Sequence, residues 1–144
     1  MRQSHTDKIT IHTDAARGEH VSGLGYVIQG EISRKGRKVL LGEYTSMEAE
    51  LHALLEAVRV ASFDSDARSE CVVRTDCEPL VRKISAYENE RDDWEQYRRS
   101  ATWLLDKFDD WDVQYVFRSN NQDAHELARE ALFEGRERLK YGDD

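Results

Sequence analysis

Four short acidic segments constrain this chain more than anything else in it. They are Ile9-Thr10-Ile11-His12-Thr13-Asp14, Ser46-Met47-Glu48-Ala49-Glu50-Leu51, Val72-Val73-Arg74-Thr75-Asp76 and Asn121-Gln122-Asp123-Ala124-His125-Glu126-Leu127-Ala128. The first and third each end a β-branched run on an aspartate, where a strand would stop. The second and fourth carry their acids on amphipathic stretches that read as helices. A fold that gathers these ends gathers carboxylates, which repel one another unless a divalent cation sits between them. A metal-dependent site is therefore the leading reading, and phosphoryl transfer is its natural chemistry.

A length of 144 residues suits one domain, 1–144, with a real core. Charged residues make up 35% of the chain and the net charge is −8, so the surface must be heavily charged. Arg outnumbers Lys and acids outnumber both, a handicap for a nucleic-acid partner, because most such affinity comes from neutralising phosphates. Two readings stay open: an ordinary acidic protein, or adaptation to high salt, where charge is screened within a few ångströms. Cys71 and Cys77 have no zinc-ligand spacing around them and read as buried thiols. No apolar run approaches a membrane span and the N-terminus is polar, so the expected compartment is cytoplasmic.

Hydrophobic periodicity predicts strands over 8–16, 23–29 and 38–44, joined by turns at 18–23 and 31–36 that make them an antiparallel meander. Gly23 and Gly25 suggest close backbone approach on the second strand. A helix over 46–61, with Ser46 as its N-cap, carries Met47, Leu51, Leu54, Leu55 and Val58 at helical spacing. An Asp/Ser-rich loop over 62–69 leads to a buried strand at 70–75. Pro79 opens a helix ending near 87, and a further helix is predicted over 90–108. A last strand over 112–117 precedes a helix over 121–139, whose buried face is Ala124, Leu127, Ala128, Ala131 and Leu132. Three meander strands followed by αβ alternation imply an α/β fold, a five-stranded mixed sheet flanked by helices.

Four motifs, in order and at the ends of the right elements, make the chain resemble ribonuclease H type 1 over about residues 8–135. Thr13-Asp14-Ala15-Ala16 is similar to the family's TDGS or TDGA. Thr45-Ser46-Met47-Glu48-Ala49-Glu50-Leu51 is similar to TNNxxEL, Arg74-Thr75-Asp76-Cys77 to STDS, and Asn121 to Ala128 to NxxADxLA. The resemblance implies a ribonuclease H-like fold, three antiparallel strands and then parallel ones. It implies two Mg²⁺ or Mn²⁺ ions and cleavage of the RNA strand of an RNA/DNA hybrid to 5′-phosphate and 3′-hydroxyl products. By that resemblance Asp14, Glu50 and Asp76 are catalytic metal ligands, with Asp14 bridging both ions. Glu48 then faces elsewhere on the helix.

The fourth carboxylate of the pattern falls on His125. A neutral imidazole can bind a divalent ion and favours Mn²⁺ and later metals, but brings no negative charge. Asp123 does not replace it, because two positions on a helix turn a side chain by roughly 200°. His125 is read as a fourth catalytic and metal residue, against a neutral polar residue in a degenerate site. On the substrate side the candidates are Arg17, Thr45, Ser46, Arg118 and Asn121, with Arg17 and Arg118 facing phosphate. The family's lysine-rich basic handle is absent, so hybrid binding should be weak, shape-based and not sequence-specific.

Other residues have plainer readings. His12, His20 and His52 are surface residues, Trp94, Trp103 and Trp111 core packing, and Arg98-Arg99 a solvated helix face. No spare apolar stripe is evident, which suits a monomer. The alternative to an active endonuclease is a weakened or inactive ribonuclease H fold kept for binding nucleic acid or protein. A resolvase or exonuclease of the same superfamily and an unrelated acidic binding module are the remaining rivals.

Overall fold

The computed structural model describes residues 8–65, 69–85 and 94–141. The middle of the predicted loop at 66–68, the helix ends expected at 86–87 and 90–93, and the tail at 142–144 lie outside the described residues. The elements run β1 (Lys8–Arg17), β2 (Val21–Gly30), β3 (Arg34–Leu41), α1 (Ser46–Asp64), β4 (Glu70–Thr75), α2 (Glu78–Ser85), α3 (Glu95–Leu105), β5 (Asp110–Tyr115), a 3₁₀ turn (Arg118–Asn120) and α4 (Gln122–Tyr141).

Short connections make the first three strands a meander, as expected. Asp14 pairs with Gly25, and Gly25 in turn with Arg37. β4 joins the other edge of β1 in parallel, Thr13 beside Thr75. β5 extends the sheet in parallel, Thr75 beside Tyr115. The order β3-β2-β1-β4-β5 is the mixed five-stranded sheet that the sequence implied. It leaves β1 and β4 adjacent and pointing the same way, so the chain delivers Asp14 and Asp76 to one end of the sheet.

On one face the core is apolar. Leu51, Leu54, Ala57, Val58 and Ala61 of α1 pack on Ile9, Ile11, Ile28, Cys71 and Val73 of the sheet. Each fully buried aliphatic there contributes about 1.5–3 kcal/mol of transfer free energy. The other face is built differently. Ala124, Ala128, Ala131 and Gly135 form the buried stripe of α4, while Leu127 and Leu132, expected in that stripe, are only half-buried. Small residues win because the strand beneath has none to give: a Cβ on Gly23 would stand 2.0 Å from the Ala128 carbonyl oxygen, and one on Gly25 2.3 Å from that of Ala124. Helix and strand meet backbone to backbone, as the two glycines suggested.

Several boundaries move. β3 starts at Arg34 rather than 38, because it is a charged edge strand whose ladder to β2, not its hydrophobicity, defines it. α1 runs three residues further than predicted and is capped by Thr45, not Ser46: the Glu48 amide donates to Thr45 Oγ1 at 3.1 Å and the Thr45 amide donates to Glu48 Oε1 at 2.9 Å. β5 starts and ends two residues earlier than predicted. Arg98 is not solvated: it is 7% exposed, and its Nε donates to the Lys83 carbonyl at 2.7 Å, binding α3 to α2. Trp103 is not core: it is 66% exposed, with Lys107 Nζ over its ring at 3.9 Å. Trp94 and Trp111 are partly buried against the core, and Cys71 is a free buried thiol.

Gly25→Ala tests the backbone contact. Its Cβ has no flexible neighbour to displace, so urea unfolding should show a loss of about 3 kcal/mol or more, above the usual overpacking cost. A loss under 1 kcal/mol would mean α4 can lift off β2.

Candidate active site

Asp14 sits within β1 at 2% exposure, on the face that α4 covers. Glu50 lies in the second turn of α1, which the Thr45–Glu48 capping box orients. Asp76 is the first residue past β4, where the Cys77 amide donates to Thr75 Oγ1 at 3.1 Å and turns the chain. One carboxylate oxygen from each of Asp14, Glu50 and Asp76 falls within 4.8 Å of the others, a separation a cation can span. The structure thus brings together the three acids that the sequence singled out.

His125 is not part of that mutual set. It reaches the cluster through Asp14, with Nδ1 2.7 Å from Asp14 Oδ2. α4 brings it there from its first turn, held by the glycine contact and by Asn121. Asn121 was expected on the substrate side, but it is 1% exposed and its Nδ2 donates to the Thr13 carbonyl at 2.8 Å. That bond fastens the start of α4 to the strand residue next to Asp14. Burial of an amide at this point has no signal in the sequence beyond its place before a helix.

The electrostatics are those of crowded acids out of water. Burial raises the Asp14 carboxyl above its ordinary range, and the charge of Asp76 raises it further. Glu50 is pushed up to about 10, by burial first and by Asp14 next. Its Oε1 is buried without a hydrogen-bond partner among the described residues. A buried acceptor with no donor, among other acids, is a site short of positive charge. Burial also pushes the neighbouring Cys77 thiol up to about 11, so it is not a ready thiolate.

The remaining candidates form a rim. Arg118 is 70% exposed along its side chain, and its Nε lies 3.3 Å from Asp76 Oδ2. Arg17 is exposed and donates from Nε to the Tyr44 carbonyl at 2.6 Å, tying β1 to the loop before α1. Thr45 and Ser46 are exposed at the start of α1. Glu48 faces away from the cluster, as expected, and accepts from Tyr97 Oη of α3 at 3.3 Å. That long-range contact was not legible in the sequence. His12 and His52 are half-buried rather than on the open surface, and burial lowers the pKa of both. His20 is exposed beside Glu43 at 3.0 Å.

Residues 12–131 match the family described as reverse transcriptase-like. Over 94 residues the chain is 33% identical to a ribonuclease HI of Halobacterium salinarum; the match covers 64% of this chain and 46% of that protein, so the chain spans about half that relative's length. The crystal structure of ribonuclease H1 from the same halophilic archaeon superposes with a TM-score of 0.75 at 28% identity, covering 88% of this chain and 98% of that one. A crystal structure of LC11 ribonuclease H1 in complex with an RNA/DNA hybrid superposes with a TM-score of 0.72 at 25% identity, over 89% of this chain and 99% of that one.

Glu50 also yields a test of the crowding. An acid whose folded pKa is raised adds stability in full below its unfolded value near 4.5, and that stability is lost as pH rises toward about 10. Without divalent ions, Glu50→Gln should therefore melt several degrees above wild type at pH 8, and the gap should close toward pH 4.5. Thermal melts in a chelator at both pH values decide it; a gap of the same size at both would remove the charge argument.

Proposed function

As a member of the reverse transcriptase-like family, this chain is, we propose, a ribonuclease H: an endonuclease that hydrolyses the RNA strand of RNA/DNA hybrids with two divalent ions. The single observation that carries the reading is the trio of carboxylates within 4.8 Å, one of them with a buried oxygen that no group among the described residues satisfies. The ribonuclease HI relative and the hybrid-bound neighbour supply the substrate class.

In this reading Asp14, Glu50 and Asp76 hold Mg²⁺ or Mn²⁺, and the donor set suits them: hard, anionic oxygens are what these ions take. Ions bound there would neutralise the phosphoryl group and supply an acidified water for in-line attack. The chain's own residues do the rest. By the family resemblance, Asp14 would be the acid that serves both ion positions. Asn121 and the glycine contact hold α4 so that His125 meets Asp14. Nδ1 is turned to Asp14 at 2.7 Å, so His125 would act on the site through that carboxylate. Three charges rather than four weaken the hold on Mg²⁺ and favour Mn²⁺. Arg17, Thr45, Ser46 and Arg118 form the rim on which the hybrid lies. Arg118, which pairs with Asp76 at 3.3 Å, would be free to take a backbone phosphate if that carboxylate held a cation. The whole of 1–144 acts as one such unit and as a monomer. None of the described helices is long and apolar enough to cross a membrane.

The decisive experiment is cleavage of a labelled RNA/DNA hybrid in Mg²⁺ and in Mn²⁺, at low and high salt. Wild type should cut in both and faster in Mn²⁺, and a chelator should stop it. Asp76→Asn should lose roughly a hundredfold or more. His125→Ala should lose about 10–100-fold, with a higher metal requirement, as expected for a residue that orients a ligand or serves as a weak one. No cleavage by wild type in either metal would leave a fold that binds without cutting.

A further inference from the structure

Beside the acid cluster lies an aromatic pair that the hydrolytic reading does not use. Tyr115 ends β5 and pairs with Thr75, the neighbour of Asp76. The Val116 amide donates to the Thr75 carbonyl at 2.9 Å and carries the chain on to Phe117. Phe117 is 66% exposed and Tyr115 45% exposed. Their rings meet edge to face, centroids 5.8 Å apart. The next residue is Arg118, which contacts Asp76 itself.

Two exposed aromatics in contact form a patch rather than a scattered single ring, and the surroundings of these two differ from those of Trp103 and Phe133. Lys107 already covers the Trp103 ring. Phe133 stands among Glu126, Glu130, Glu134 and Glu137 with Arg37 and Arg129, and Arg37 is already paired with Glu130 and Glu134, so acids outnumber basic side chains there. Phe117 instead precedes Arg118, whose guanidinium reaches Asp76 of the acid cluster at 3.3 Å. An aromatic face next to a phosphate-seeking cation is the pairing that single-stranded nucleic acid recognises: the base stacks and the phosphate ion-pairs. Bases inside a duplex already have stacking partners, so an unpaired one is what such a platform selects.

We infer that Phe117, held edge-on by Tyr115, is a stacking platform for an unpaired nucleobase in a single-stranded RNA extension of the hybrid, next to the phosphodiester over the acid cluster. This deepens the ribonuclease H reading and rests on it. It makes extended hybrids, rather than blunt ones, the favoured substrate. Arg118 fixes the phosphate between the platform and the cluster, so the preference holds for one polarity of extension. Sequence tolerance follows, because every base offers a face to stack.

The test compares a blunt hybrid with hybrids carrying a short 5′ or 3′ single-stranded RNA extension. In wild type, kcat/KM should be about tenfold higher for one extended hybrid than for the blunt one. The ratio should fall to about one in Phe117→Ala and be restored in Phe117→Trp. A second arm needs no turnover. A 2-aminopurine in the extension of a 2′-O-methylated, uncut strand should lose fluorescence on binding wild type and Phe117→Trp but not Phe117→Ala. Blunt cleavage without an extension advantage, or an advantage untouched by Phe117→Ala, overturns the platform and leaves the nuclease reading standing. Failure of wild type to cut any hybrid overturns the nuclease reading, and the fluorescence arm then judges the platform alone: no quenching overturns it. A wild-type dimer in sedimentation that Phe117→Ala dissociates would assign the patch to a second copy and also overturn it.

Discussion

The mutual repulsion of Asp14, Glu50 and Asp76 in a place largely closed to water is the constraint around which the rest is built. Left alone, three acids within 4.8 Å would push their elements apart or take up protons, and the latter is what Glu50 does at a value of about 10. The fold withstands this because each acid is anchored by an element that cannot yield. Asp14 belongs to the central strand, paired on both sides. Asp76 follows a strand whose Cys71, Val73 and Thr75 are wholly buried. Glu50 rises from a helix that buries seven apolar residues and is locked at its start by a capping box. The destabilising charge sits where the stabilising burial is densest, a common arrangement at sites evolved for function rather than stability.

The second constraint is the lack of a side chain at Gly23 and Gly25, where β2 meets α4. A helix normally stands about 10 Å off a sheet because residues fill the gap; here Gly23 and Gly25 let the helix backbone touch the strand. The result is positional. Asn121 reaches the Thr13 carbonyl and His125 reaches Asp14 because the helix is that close. A larger residue on the strand would withdraw the imidazole from the carboxylate without touching either. Thus the site depends on two residues that carry no functional group at all.

What the sequence reveals follows from how local each feature is. Alternation in Ile9 to Thr13 and the helical spacing of Leu51, Leu54 and Val58 are set by burial on one face, so the central elements were readable. Asp14, Glu50 and Asp76 were proposed from the sequence because each sits in a short motif, although β1 runs on past Asp14 to Arg17 instead of stopping there. Arg98 was not, since its burial depends on a carbonyl that Lys83 offers from another helix. Nor was Asn121, an ordinary residue before a helix until a strand 108 positions away supplies its acceptor. The start of β3 was hidden for a related reason. Arg34, Lys35, Arg37 and Lys38 give no apolar period, and the strand exists through its ladder to β2 alone. Trp103 misled in the opposite direction: a large apolar residue on a helix suggested core, but its ring is satisfied by Lys107 at the surface.

The net charge of −8 sets the last problem, because a polyanion must approach a protein that repels it. Counterion release rewards each phosphate that a cation neutralises, and the rim near the site offers few: Arg17, already bound to the Tyr44 carbonyl, and Arg118, already paired with Asp76. Affinity drawn from so few phosphate contacts is low, but it is also lost slowly as salt increases. In the proposed ribonuclease H reading, contacts that do not depend on charge would then carry more of the binding: groove shape, ribose hydroxyls at Thr45 and Ser46, and stacking at Phe117. A basic handle would bind more tightly in dilute salt and forfeit most of that advantage in concentrated salt. This surface gives up affinity in dilute salt and keeps what remains as ionic strength rises.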